Sequence, residues 1–136
     1  MLSINIRGRI AKKKAVYAYT DAVCYELLQN IKRNIHIDIQ VVTRCDSENS
    51  ALCWGDKDGA EIEIARKSFD VKFTLDEMML NLAHELVHAK QFIKGELHPS
   101  LNKWKRLDFT NVPYSRTPWE KEAYLLEDKL FETHWN

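Results

Sequence analysis

The stretch from Thr74 to Gly95 constrains this chain more than any other. Leu75, Met78, Met79, Leu82, Leu86 and Ile93 recur at helical spacing, the mark of an apolar face. Thr74 with Glu77 three positions on is a capping box, and Gly95 is a natural stop. A long helix is therefore predicted, and its apolar face needs other elements to cover it. Inside it lies His84-Glu85-Leu86-Val87-His88. Residues four apart share one helix face, so the two imidazoles can converge on one cation. Glu85 stands about 100° around the helix from His84. From there a carboxylate reaches a water on the open side of the ion without taking a coordination site. His84 and His88 are thus candidate ligands, Glu85 a candidate general base, and one Zn2+ the candidate ion. A chance match to this pattern in such a chain is on the order of a few in a thousand. The plain alternative is a pair of surface histidines one turn apart.

Two histidines hold zinc weakly, and a catalytic site wants a third protein ligand with one open position. Glu120 and Glu122, in PWEKEAY, are candidates, as are His98 and His134. Lys94 occupies the place six residues after His88, where a metzincin has its third histidine, so that arrangement is excluded. Glu120 has a competing reading. It follows Thr117 by three, which is a second capping box, and a first-turn carboxylate suits the helix dipole whatever its task.

The other elements follow from periodicity. Ile4, Ile6 and Ile10 suggest a first strand. Val16, Tyr19, Val23, Leu27 and Ile31 predict a helix from about 14 to 33. IHIDIQVV alternates strictly from Ile35 to Val41, as a half-buried strand does. Residues 45–59, polar with two glycines, read as a loop. AEIEIARK follows as a second clear strand, expected at the sheet edge above the cleft, and Val71–Phe73 is a candidate short strand. Residues 96–116 show no period. Pro118 opens a last helix at a position where its missing N–H has no partner to lose, with Trp119, Ala123, Leu126 and Leu130 on one face.

The 136 residues suit one domain, 1–136. Apolar residues at 45% and charged residues at 29% are those of a globular chain and exclude a disordered one. Twenty basic and twenty acidic residues cancel, so no global field steers the chain to nucleic acid or anionic lipid. The one basic concentration, Lys12, Lys13 and Lys14 near Arg7 and Arg9, reads as a solvated strand-to-helix junction. Cys24, Cys45 and Cys53 are an odd set without a CxxC pair. They are expected as reduced thiols, with a Cys45–Cys53 pairing geometrically open. No signal-type or membrane-spanning run is present, and a cytoplasmic location is expected.

HELVH on one helix, followed some thirty residues later by a glutamate helix of E-x-E-A form, resembles the gluzincin branch of the zinc metallopeptidases. In size the chain is similar to the minigluzincins. The HExxH helix is shared with small SprT-like and ImmA/IrrE-like proteins. YSRTPWEKEAY, Tyr114 to Tyr124, resembles the glutamate helix of phage-encoded peptidase-like proteins. The resemblance covers about residues 60–130. It implies an α+β fold: a small zincin-like domain with a backing helix and a mixed or antiparallel sheet of three or four strands on the HExxH helix, then a C-terminal glutamate helix. With Ala123 as the small residue of that helix, it implies Glu120 as third ligand. Glu122 and His98 remain the alternatives. Tyr124 departs from the Asp or Asn that often follows the small residue and orients a ligand histidine.

The implied activity is zinc-dependent peptide-bond hydrolysis with Glu85 activating water. A peptide or protein is the implied substrate. Tyr114 and Arg116 are positional candidates for an oxyanion donor. The alternative is a catalytically silent zinc-binding module that regulates or binds a protein partner. A cover for the site is expected from the C-terminal FETHWN or from residues 96–116.

Overall fold

The computed structural model describes residues 1–135. It is an α+β fold with a mixed four-stranded sheet. Strand β1 (Leu2–Arg7) leads to helix α1 (Lys13–Leu27), then β2 (Ile35–Val42), β3 (Ala51–Asp56) and β4 (Gly59–Ala65). A short hairpin of β5 (Lys67–Ser68) and β6 (Val71–Lys72) precedes α2 (Leu75–Ile93). A second hairpin, β7 (Lys103–Trp104) with β8 (Leu107–Asp108), precedes α3 (Pro118–His134). The sheet order is β1-β2-β4-β3; β1, β2 and β4 are parallel and β3 is antiparallel to β4.

Alternation in β2 and β4 divides the sheet into two faces. Ile35, Ile37, Ile39, Val41, Ile62 and Ile64 are buried under α1 and α2, while His36, Gln40 and Glu61 are exposed on the other face. Burying such side chains stabilises by roughly 1.5–3 kcal/mol each. Tyr19 crosses this core and its hydroxyl donates to the Met79 carbonyl at 2.9 Å, which ties α1 to α2. The capping box at Thr74 and Glu77 is formed in both directions. Gly95, at φ +74°, takes the left-handed step that ends α2.

Three sequence expectations are corrected. The helix expected to Arg33 stops at Leu27, because Asn30 turns left-handed at φ 72° and Ile31 returns to the core from a loop. The stretch 45–59 is not all loop, since β3 lies within it. Its inward residues Ala51, Cys53 and Gly55 are small because α2 lies close against them. A Cβ on Gly55 would stand 2.9 Å from Phe92. Small inward residues leave no apolar alternation to read. As a result, AEIEIARK is not the edge strand: β4 is interior, and the free edge beside α2 belongs to β3.

Candidate metal centre

The middle of α2 is buried between the sheet and α3. His84, Glu85 and His88 therefore project into a protein interior and not into solvent. They form a group able to hold a metal ion, with one ligand atom from each lying within 4.8 Å of the others. His84 Nε2 and His88 Nε2 are 3.3 Å apart. Glu120, 2% exposed at the start of α3, places Oε1 at 3.0 Å from His84 Nε2 and Oε2 at 2.9 Å from His88 Nε2.

The outer nitrogens decide what the inner ones can do. Gln91 donates its amide N–H groups to the Trp119 carbonyl at 2.9 Å and to Glu122 at 3.0 Å. Its oxygen must therefore be the atom facing His88 Nδ1, at 2.8 Å. An oxygen only accepts, so His88 Nδ1 carries the proton. His84 Nδ1 faces the Glu127 carboxylate at 2.9 Å, and the same reasoning protonates it. In the neutral imidazoles both Nε2 lone pairs then point at each other and at a carboxylate. Such an arrangement demands a shared cation or added protons. Two ligands of one tetrahedral ion at metal–nitrogen distances of about 2.0–2.1 Å stand about 3.3–3.4 Å apart. The observed nitrogen separation matches, so the residues fit a divalent metal.

In the metal-free chain the surrounding carboxylates favour protons in the cation's place. Burial lowers the His84 pKa, but hydrogen bonds to Glu120 and Glu127 outweigh it and raise the pKa to about 9. His88 is likewise raised, burial being overcome by Glu120 and Glu85. Burial works against an ionised Glu120, yet the two histidines hold its carboxyl well below the usual range. Glu85 is raised, by burial first, with His88 and His84 offsetting part of it.

All of these shifted groups but His84 border a cleft of about 360 Å³. Glu85, His88 and Glu120 line it; so do Ala51–Trp54 of β3 and the apolar Phe92, Leu97 and Trp119. Tyr114 is on the wall and is a largely exposed residue; burial and the nearby Glu120 carboxylate raise its pKa. Arg116 is exposed and does not line the cleft.

Of the proposed third ligands, Glu120 alone meets both histidines. The capping box expected at Thr117 is absent, because the Thr117 hydroxyl donates to the Tyr114 carbonyl at 2.8 Å and Glu120 turns to the histidines. Glu122 is engaged by Lys90 at 2.8 Å and by Gln91. His98 is exposed and bonds Ser100. His134 pairs with Glu26 at 2.8 Å, and the Trp135 indole donates to Asp76 at 2.7 Å. The tail to Trp135 is thus docked near Tyr19 at α1, not over the cleft; Asn136 lies outside the described residues. Residues 96–116 supply one wall of the cleft through Leu97, Leu101 and Tyr114.

Sequence reasoning missed Glu127 and Gln91. Both stand seven residues after a site residue, Glu120 and His84 respectively, a step that keeps them on the same helix face. The three cysteines are free thiols, and burial pushes Cys24 up to about 12 and Cys45 up to about 11. No helix among the described residues is long and apolar enough to cross a membrane. No protein-family model, curated protein or solved structure matches this chain.

Proposed function

We propose that the chain is a zinc-dependent peptidase of zincin-like, gluzincin type. His84, His88 and Glu120 are the ligands and Glu85 is the general base. The observation that carries this reading is the pair of Nε2 atoms meeting at 3.3 Å across Glu120, beside a cleft lined by Glu85, His88 and Glu120. When bound, the zinc ion supplies Lewis acidity toward water and toward a substrate carbonyl.

The chain's own groups do the rest. Glu127 and Gln91 hold the two imidazoles with Nε2 directed inward. The Glu85 carboxylate, with its pKa raised by burial, accepts the proton of the attacking water. It then returns that proton to the departing amine. Tyr114 stays protonated at neutral pH and is the donor assigned to the carbonyl oxygen as it gains charge. The unpaired edge of β3 lines the same cleft, so an extended peptide can add to it as a further strand. Main-chain pairing of this kind gives affinity with little demand on sequence, while Phe92, Leu97 and Trp119 favour an apolar side chain.

Elemental analysis of the purified chain, run beside Glu85→Gln, tests the reading. About one zinc per chain is expected in both proteins, with hydrolysis of a mixed peptide library lost in the variant. Loss of general-base help costs about 10²–10⁴-fold. Zinc with equal behaviour of both proteins favours the silent binding module, and no stoichiometric zinc in the wild type sinks both readings.

A further inference from the structure

The basic residues concentrated at 7–14 take no part in the metal centre, and the fold adds to them. Since β1, β2 and β4 are parallel, their C-terminal ends share one edge of the sheet. The residues that follow them gather there: Gly8 and Arg9, Thr43, then Arg66 and Lys67. A cavity of about 900 Å³ opens at this edge. Arg9, Lys13, Arg66, Lys67 and Lys72 line it, and among the described residues no carboxylate does. None of the five forms a salt bridge among the described residues.

Two of these cations are fixed in place by neutral partners. Arg66 donates to the Arg9 carbonyl at 3.2 Å and to the Thr43 hydroxyl at 2.8 Å. Lys13 donates to the Gly8 carbonyl at 3.1 Å. Such bonds position charge without cancelling it. Gly8 is required at this corner, since at φ +94° a Cβ would stand 2.4 Å from the Val41 carbonyl oxygen. Ile10, Phe73, Leu75 and Met78 give the cavity an apolar floor.

Five like charges around one cavity repel one another, and a compact polyanion offsets that cost. We propose that this cavity binds a phosphorylated small molecule of nucleotide size, its phosphates among the five cations and its less polar body on Phe73, Leu75 and Met78. A di- or triphosphate packs several charges into a few ångströms, whereas an acidic peptide spreads one charge per residue over about 3.3–3.6 Å each. The volume lies within the roughly 300–1,000 Å³ of small-molecule sites. The place, beyond the carboxyl ends of parallel strands, is where open α/β sheets bind ligands. The site is independent of the peptidase reading: Leu75 and Met78 of α2 line this cavity, whereas Glu85 and His88 line the other.

Calorimetric titration of the full chain with ATP, with adenosine, and with a single-stranded oligonucleotide of about 10 nucleotides tests the proposal. Saturable 1:1 binding of ATP is expected, absent for adenosine and weakening as salt rises. Lys67→Glu combined with Lys72→Glu should weaken ATP binding about tenfold or more while leaving metal content unchanged. If that pair unfolds the short hairpin, Arg9→Glu in an exposed loop gives the same readout. The proposal is overturned by no saturable ATP binding, by ATP binding unchanged in a folded variant, or by binding of the oligonucleotide alone.

Discussion

At His88 the outer ring nitrogen matters as much as the inner one. Gln91 can face it only with oxygen, because Trp119 and Glu122 take both amide protons. Replacing Gln91 by Glu keeps an acceptor there but brings a carboxylate against Glu122; replacing it by Ala frees the ring. Glu127→Gln leaves His84 with a weaker, reorientable partner. Both Gln91→Ala and Glu127→Gln should therefore lower zinc affinity by about 10–100-fold, read by competition with a chromophoric chelator, with the secondary structure retained. An unchanged affinity in both would mean that the inward direction of the imidazoles is set by packing alone. At this scale the sequence was readable where the geometry is local. HELVH lies on one helix, so its spacing states its geometry. Glu120 was ambiguous because a capping role and a ligand role ask for the same residue at the same place. Glu127 and Gln91 depend on how α2 meets α3, which no local pattern records.

Among the elements, α2 and β2 could be read because large apolar residues mark their buried faces. β3 could not, and the reason is the closeness that makes it useful. Its inward face is Ala51, Cys53 and Gly55, trimmed so that α2 can bring Glu85 and His88 to a strand with a free edge. Gly55→Val should test this contact. The added Cβ meets both Phe92 and the Gly59 carbonyl oxygen at 2.9 Å, so β3 and α2 must separate. Overpacking of this kind costs about 1–3 kcal/mol, read as a lowered midpoint in urea unfolding. If the chain is the peptidase proposed, peptide turnover should fall further than stability does, because the strand edge moves away from the histidines. A variant with wild-type stability would show that the strand and helix are less tightly joined than these distances state.

For the whole molecule, a net charge of zero conceals separate territories. Among the described residues the five cations at one sheet edge have no partner carboxylates, and the acids Glu85, Glu120 and Glu127 surround the histidines. Summed charge cannot show this, since the segregation arises from strand order. The acidic territory gives the metal-free chain a definite pH response. His84 is raised from 6.5 to about 9 in the folded state. Its contribution to stability is therefore complete below pH 6.5 and is lost as pH climbs through about 9. Glu85, also raised, acts in the same direction from its ordinary value of 4.5 upward. Glu120 is lowered, so its contribution is present above pH 4.5 and is lost in acid. Metal-free protein should thus lose thermal stability between pH 6.5 and 9. In the site proposed, zinc would have to displace the protons on His84 and His88, so its binding would weaken in acid and release protons near neutrality. The Tm increase on adding zinc should accordingly grow from pH 6 to pH 9, and the heat of zinc binding at pH 7 should vary with the ionisation enthalpy of the buffer. A zinc-induced Tm shift that is flat over this range, with a buffer-independent heat, would mean that the metal is not held by these histidines.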